Sequence, residues 1–294
     1  MIADALIHGL WFARNGHIFK SQIVAIRGTG GVQRMNLYVP ALWVATGISL
    51  FAGVHFSATG LPRRENRMYV AFGWLSLTIG VYFLLTAIEF QAVAAVAVGA
   101  ILRARMGVVC VIYILAVWFF GLYTQLRHRK RWLLGALALF GALFLINLGY
   151  PDSLLFVDII PRPSIMLPWG ETVLDYKGVH SALFWVFYAV QDALYLWLIG
   201  CCAALWKRRE RRLFWTLAVY LLFQLGTGVH AELVSAYAWR TVTFDAFTSL
   251  ALVMLMSNAL RDQQIRRSVA LSSSLHELGV ETHRRQVVQA NLPH

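Results

Sequence analysis

Seven apolar runs, separated by short connections that are mostly basic, organise this chain at 41–60, 68–89, 106–125, 132–149, 181–206, 213–231 and 241–260. Each is about the length that crosses roughly 30 Å of hydrocarbon as a helix rising about 1.5 Å per residue. Between the second and third runs, Gln91 to Arg105 is Ala/Val-rich but too short to cross and return. It reads as a surface-lying helix or as an extension of the third run. The longest stretch that cannot sit in lipid is Tyr150 to His180, with Asp152, Asp158, Arg162, Glu171, Asp175, Lys177 and prolines 151, 161, 163 and 168. Proline lacks the amide proton and pushes its predecessor toward extended geometry, so no continuous helix forms there. Leu155, Val157 and Ile159 alternate with Phe156, Asp158 and Ile160. That period predicts a short strand, with Ser164 to Leu167 as its return. The expected fold is an all-α integral membrane protein, a seven-helix bundle with a hairpin-like extracytoplasmic loop between helices four and five.

Charge then orients the bundle. Alternate connections hold fifteen Lys and Arg on one side (63–67, 127–131, 207–212 and 261–267) against five on the other (Arg103, Arg105, Arg162, Lys177 and Arg240). Positive loops resist translocation, so the fifteen-residue side is cytoplasmic, the N-terminus is outside and the C-terminus inside. Residues 1–34 have one brief apolar run before Arg14, shorter than a secretory core, and no small-residue cleavage pattern. They form an N-terminal extension, either interfacial or, with Met35 as the start, untranslated. Residues 35–262 are the seven-helix domain, and 263–294 a polar, helix-compatible cytoplasmic tail.

Composition supports the membrane reading, with 59% hydrophobic and 14% charged residues against about 25% charged in soluble domains. A net charge of +12 would suggest nucleic acid in a soluble chain, but here the basic residues are topological signals and no nucleic-acid partner is expected. Cys110, Cys201 and Cys202 all fall in apolar runs and form no disulfide or metal-type spacing. None of the four lysines lies in a run, which excludes retinal held as a Schiff base. No cofactor is expected.

An ionisable group inside hydrocarbon is costly unless paired or facing a cavity, so each is a functional candidate. Glu89, Asp192, His230, Glu232 and Asp245 lie in the outer half or near the middle of runs two, five, six, six and seven, with Gln191, Gln224, Thr227 and Asn147 at similar depth. They either converge under the 150–180 loop as a ligand pocket or hydrogen-bond one another to lock helices together. In Leu167-Pro168-Trp169-Gly170-Glu171 a rigid turn, an indole and a carboxylate meet. Trp169 is either an interface anchor or, with Glu171, a ligand contact closing the outer mouth. Ligand-pocket candidates are therefore Glu89, Asp192, His230, Asp245, Trp169 and Glu171. Metal binding by His180 and His230 lacks a supporting i, i+4 pair. His55 reads as a core histidine bonded to a neighbouring helix. Ser274-Leu275-His276-Glu277 faintly echoes a kinase phospho-acceptor box but reads as ordinary helical tail.

Phe51 to Phe56 in run one, Leu75 to Glu89 in run two, Tyr123-Thr124, Leu167 to Glu171 and the basic tail together resemble the N-terminal seven-helix sensor modules of bacterial membrane-bound histidine kinases and diguanylate cyclases. The resemblance spans about residues 36–270. It implies a receptor-like input module of the bacterial inner membrane, not an enzyme, that detects an extracytoplasmic or membrane-dissolved cue. Its implied partners are an unidentified small ligand, membrane lipid, a kinase or cyclase output supplied in trans or lost by truncation, and a second copy in a homodimer. The alternative class is a small transporter or channel. Transporters tend to show repeats and Gly or Pro breaks near mid-membrane, whereas here Pro40, Pro62 and Pro151 only flank runs.

Overall fold

A computed structural model describes residues 37–62, 66–92, 95–166, 172–207, 210–237 and 245–290. Among them are seven α-helices and one hairpin: α1 (Tyr38–Gly60), α2 (Arg67–Glu89), α3 (Ala95–Tyr123), α4 (Arg129–Gly149), β1 (Phe156–Met166), β2 (Thr172–His180), α5 (Phe184–Lys207), α6 (Arg211–Tyr237) and α7 (Asp245–Ala290). Helices α1 to α6 are each long and apolar enough to cross a membrane, and the chain is a multi-pass membrane protein. Helix α7 is not among these six candidate spans, because Asp245, Ser257, Asn258 and Arg261 dilute its apolar stretch.

Pro40 sits in the first turn of α1, where its missing amide proton has no intrahelical acceptor to lose. The helix ends at Gly60 with Leu61 N donating to Ser57 O at 3.0 Å, and Pro62 blocks continuation. α1 and α2 then pack backbone to backbone. A Cβ on Gly73 would lie 2.6 Å from Ser57 N and 2.8 Å from Gly53 O, so glycine is required for this approach. Further along, Phe72 meets Phe119 of α3 at 5.4 Å, and Tyr113 of α3 meets Phe140 of α4 at 5.1 Å and Phe187 of α5 at 6.2 Å. α3 is thereby the central helix. Helix α7 packs on α6, α1 and α2, burying Leu252, Val253, Met256 and Leu260. Tyr38 contacts both Phe90 (5.0 Å) and Phe247 (5.7 Å), so the start of α1, the end of α2 and the start of α7 share the hairpin end of the molecule. Outward positions such as Phe51, Leu134, Leu145 and Phe223 are exposed and apolar, as lipid-facing positions must be.

Of the two readings of the Ala/Val-rich stretch before Arg105, the structure takes the extension of the third run, for the stretch opens α3 and Arg103 and Arg105 are helix residues. The return strand is Thr172–His180, not Ser164 to Leu167, because β1 runs on to Met166. Pro161 pairs with Tyr176 and the register shifts between Arg162 and Ile165. Both strands of a two-stranded ribbon are edges and β1 has this irregularity, so its prolines need not end it. The polar stretch after 263 is helical, as its composition allowed, with α7 running unbroken from Asp245 to Ala290.

The hairpin is tied to the bundle at its root. Asn147 at the end of α4 is fully buried. Its Nδ2 donates to Arg103 O and its Oδ1 accepts from Leu154 N, both at 2.8 Å. Arg103 in turn donates to Tyr150 O at 3.2 Å. Ser181 closes the other side, its hydroxyl bonding Leu154 O and its amide donating to Leu155 O at 2.8 Å.

Candidate functional site

Beneath this root the helices enclose a cavity of about 110 Å³, where about 10–15 Å³ already holds one water. Each helix contributes one face. Leu102, Arg105, Met106, Val109 and Tyr113 of α3 recur at three and four residues, as do Phe187, Tyr188, Gln191 and Tyr195 of α5 and Gln224, Gly228 and Ala231 of α6. Tyr82 of α2, Ser249 of α7 and Ser153, Leu155 and Phe156 beside the hairpin complete it.

Its polar groups form two sets that meet where Tyr113 hydrogen-bonds Tyr195. The Tyr113 hydroxyl donates to Gln191 Oε1. On the α6 side, Tyr220 OH donates to Gln224 Oε1 at 3.0 Å, and Gln224 Nε2 donates to Tyr195 OH at 3.4 Å. Gly228 leaves room between the sets, for a Cβ there would lie 3.0 Å from Gln191 Nε2. At the hairpin end Arg105 pairs with Glu89 across α3 and α2 and lies 5.9 Å from the Tyr82 ring centroid. Only 27% and 15% of these side chains are exposed, so each charge depends on the other. Among the described lining residues Arg105 alone is charged, and none is a Cys, His, Asp or Glu. Such a lining binds a small molecule with an apolar body and a few hydrogen-bonding groups.

The sequence candidates are distributed around this cavity rather than all within it. Glu89 reaches it through Arg105. Asp192 and His230 are half-buried on α5 and α6 and do not line it. Asp192 lies one position beyond Gln191, interacts electrostatically with Glu232 of α6, and its buried Oδ1 has no hydrogen-bond partner among the described residues. Asp245 is the first residue of α7, and its side chain is outside those described. Trp169 and Glu171 lie outside the described residues altogether. Contrary to expectation, His55 bonds no neighbouring helix among the described residues. It is exposed on the lipid-facing stripe of α1, its ring near those of Phe51 (6.2 Å) and Phe56 (5.1 Å). Gln191 and Gln224 do line the cavity, Asn147 secures the hairpin, and Thr227 Oγ1 bonds Gln224 O within its own helix at 3.0 Å.

Arg105, Tyr113, Tyr195 and Tyr220 were not singled out by the sequence. The one available signal was the Leu102, Met106, Val109, Tyr113 stripe, which continues the third apolar run upstream and places Arg105 on its face. No protein-family model matches the chain, and none of the curated proteins is significantly similar to it.

Proposed function

We propose that this chain is a receptor-like transmembrane sensor of a bacterial cytoplasmic membrane, which binds a small extracytoplasmic or membrane-dissolved cue in the α3–α5–α6 cavity and relays it to a kinase- or cyclase-type output. In this reading α7 is the seventh span. Its buried Leu252, Val253, Met256 and Leu260 supply the packed face. Seven crossings place the basic connections and the C-terminal part of α7 in the cytoplasm and the hairpin outside.

The observation that carries the proposal is that α7 contributes Ser249 to the cavity wall and continues as one helix for 46 residues, to Ala290. At about 1.5 Å per residue this is about twice the hydrocarbon thickness. A ligand biases the position of such a helix by binding one arrangement of the wall more tightly than another.

The test fuses a histidine-kinase output after Ala290 and introduces Gln191→Leu or Gly228→Leu, which change the cavity without touching the tail. Autophosphorylation per membrane-inserted protein is expected to change about fivefold or more in either direction, the usual lower bound of coupling between sites. Unchanged output at normal membrane levels overturns the sensor reading. Solute flux through proteoliposomes that either substitution abolishes would support a transporter instead.

A further inference from the structure

A second concavity lies on the opposite, lipid-facing side of α6. It is an open groove of about 490 Å³ between α6 and α7, lined by Trp215, Thr216, Val219, Tyr220, Phe223 and Leu255. Its volume is within the range of about 300–1,000 Å³ typical of small-molecule sites. These two helices pack far less extensively than α1 on α2, which leaves the groove open along the lipid side. Trp215, Val219 and Phe223 recur at four-residue steps and are each more than half exposed. An apolar groove facing hydrocarbon is filled by whatever chain the membrane supplies, so its lining alone identifies nothing.

The end of the groove does. Trp215 packs edge-on against Trp206 at 6.1 Å, and the Arg211 guanidinium is held 5.0 Å over the Trp206 ring. Arg211 is exposed. It belongs to the densest basic run of the chain, Lys207, Arg208, Arg209, Arg211 and Arg212, interrupted only by Glu210. Because α6 and α7 are consecutive and antiparallel, exposed Arg261 and Arg266 of α7 lie toward the same end, beside Asp262. The cationic end and the apolar groove are thus joined through two indoles in edge-on contact, with the charge at the depth where headgroups lie.

We infer that the groove between α6 and α7 is a specific site for one anionic phospholipid of the basic-side leaflet, its acyl chain against Trp215, Val219 and Phe223 and its phosphate on Arg211. The stacking on Trp206 pre-positions the guanidinium, and a planar fork suits phosphate oxygens. Tyr220 makes the site more than an annular lipid contact. Its ring lines the groove while its hydroxyl donates to Gln224 of the central cavity at 3.0 Å. Lipid capture requires only that the chain be embedded, so it stands or falls separately from the sensor reading.

The experiment is native mass spectrometry of delipidated full-length protein offered equimolar phosphatidylglycerol and phosphatidylcholine. One phosphatidylglycerol is expected to be retained in preference to phosphatidylcholine. Arg211→Gln should weaken that retention about fivefold, the usual contribution of one near-surface cation, and narrow the preference over phosphatidylcholine. Val219→Trp, at an exposed position that fills the groove, should reduce retention, whereas Leu222→Trp on the neighbouring lipid face should not. Equal retention of the two lipids, or no effect of Arg211→Gln, overturns headgroup recognition. Retention unaffected by Val219→Trp places the lipid elsewhere and overturns the site.

Discussion

Replacing Asn147 with alanine should loosen the hairpin from the bundle, and the expected loss can be worked from its two bonds. Arg103 O lies within α3 and keeps its intrahelical partner, so losing the Asn147 donor costs about 0.6 kcal/mol, the average for a side-chain bond between membrane helices. Leu154 N lies outside any helix or strand, in a fully buried residue. Leaving that donor unsatisfied costs about 1–3 kcal/mol. The sum, about 2–4 kcal/mol, corresponds to a fall in melting temperature of about 4–16 °C at about 2–4 °C per kcal/mol. Thermal unfolding in detergent micelles, followed by circular dichroism, measures it. Leu148→Ala is the control, since Leu148 is 56% exposed and its replacement should change stability by less than about 0.5 kcal/mol. If Asn147→Ala melts with Leu148→Ala, the Asn147 clamp does not secure the hairpin and the reasoning fails.

Glu89→Gln and Arg105→Gln should each destabilise by about 2.5–3.5 kcal/mol through the ion left behind. The double substitution should recover most of the loss, and melts that are simply additive refute the pair. Gly73→Leu should drive α1 from α2, because the new side chain meets the Ser57 and Gly53 backbone. At least about 1–3 kcal/mol is expected from overpacking, read as loss of monodisperse protein on size exclusion, and a wild-type profile contradicts the close approach. For orientation, alkaline phosphatase fused after Arg267 should be silent and one inserted in the 150–180 loop active. The reverse pattern inverts the topology.

The helices were legible because a bilayer demands runs of fixed length with few charges, a constraint stronger than propensity. The site was legible only by composition. Gln191 and Gln224 stood out as amides at depth, but whether their side chains or that of the adjacent Asp192 face the cavity is set by how α5 rotates against α3 and α6. Tyr113, Tyr195 and Tyr220 were silent because a tyrosine in an apolar run reads as core or belt until its hydroxyl finds a partner. Arg105 was counted as a loop charge because no sequence rule pairs it with Glu89, sixteen residues away. The hairpin was recognised from its alternation, but the extent of its first strand was not, because an edge strand tolerates the prolines at 161 and 163. The tail after the seventh apolar run was legible as helix-compatible, and α7 runs on through it to Ala290.

Tyr220 connects the two concavities, and its substitution therefore separates coupling from occupancy. Its ring is part of the groove and its hydroxyl holds Gln224, whose Nε2 reaches Tyr195. A lipid that shifts the ring displaces Gln224, and a cavity ligand that engages Gln224 displaces the ring. Coupling of this kind is reciprocal, so whatever factor one occupant applies to the other's affinity is returned. Tyr220→Phe removes one oxygen, keeps the groove wall, and leaves Gln224 Oε1 beside a cavity where water can satisfy it. In the kinase fusion, Val219→Trp is expected to alter output when Tyr220 is present and to lose most of that effect in the Tyr220→Phe background, while phosphatidylglycerol retention changes little with Tyr220→Phe alone. If Val219→Trp acts equally in both backgrounds, the hydroxyl does not carry the coupling; the groove would then reach α7 directly through Leu255, which lines its far wall.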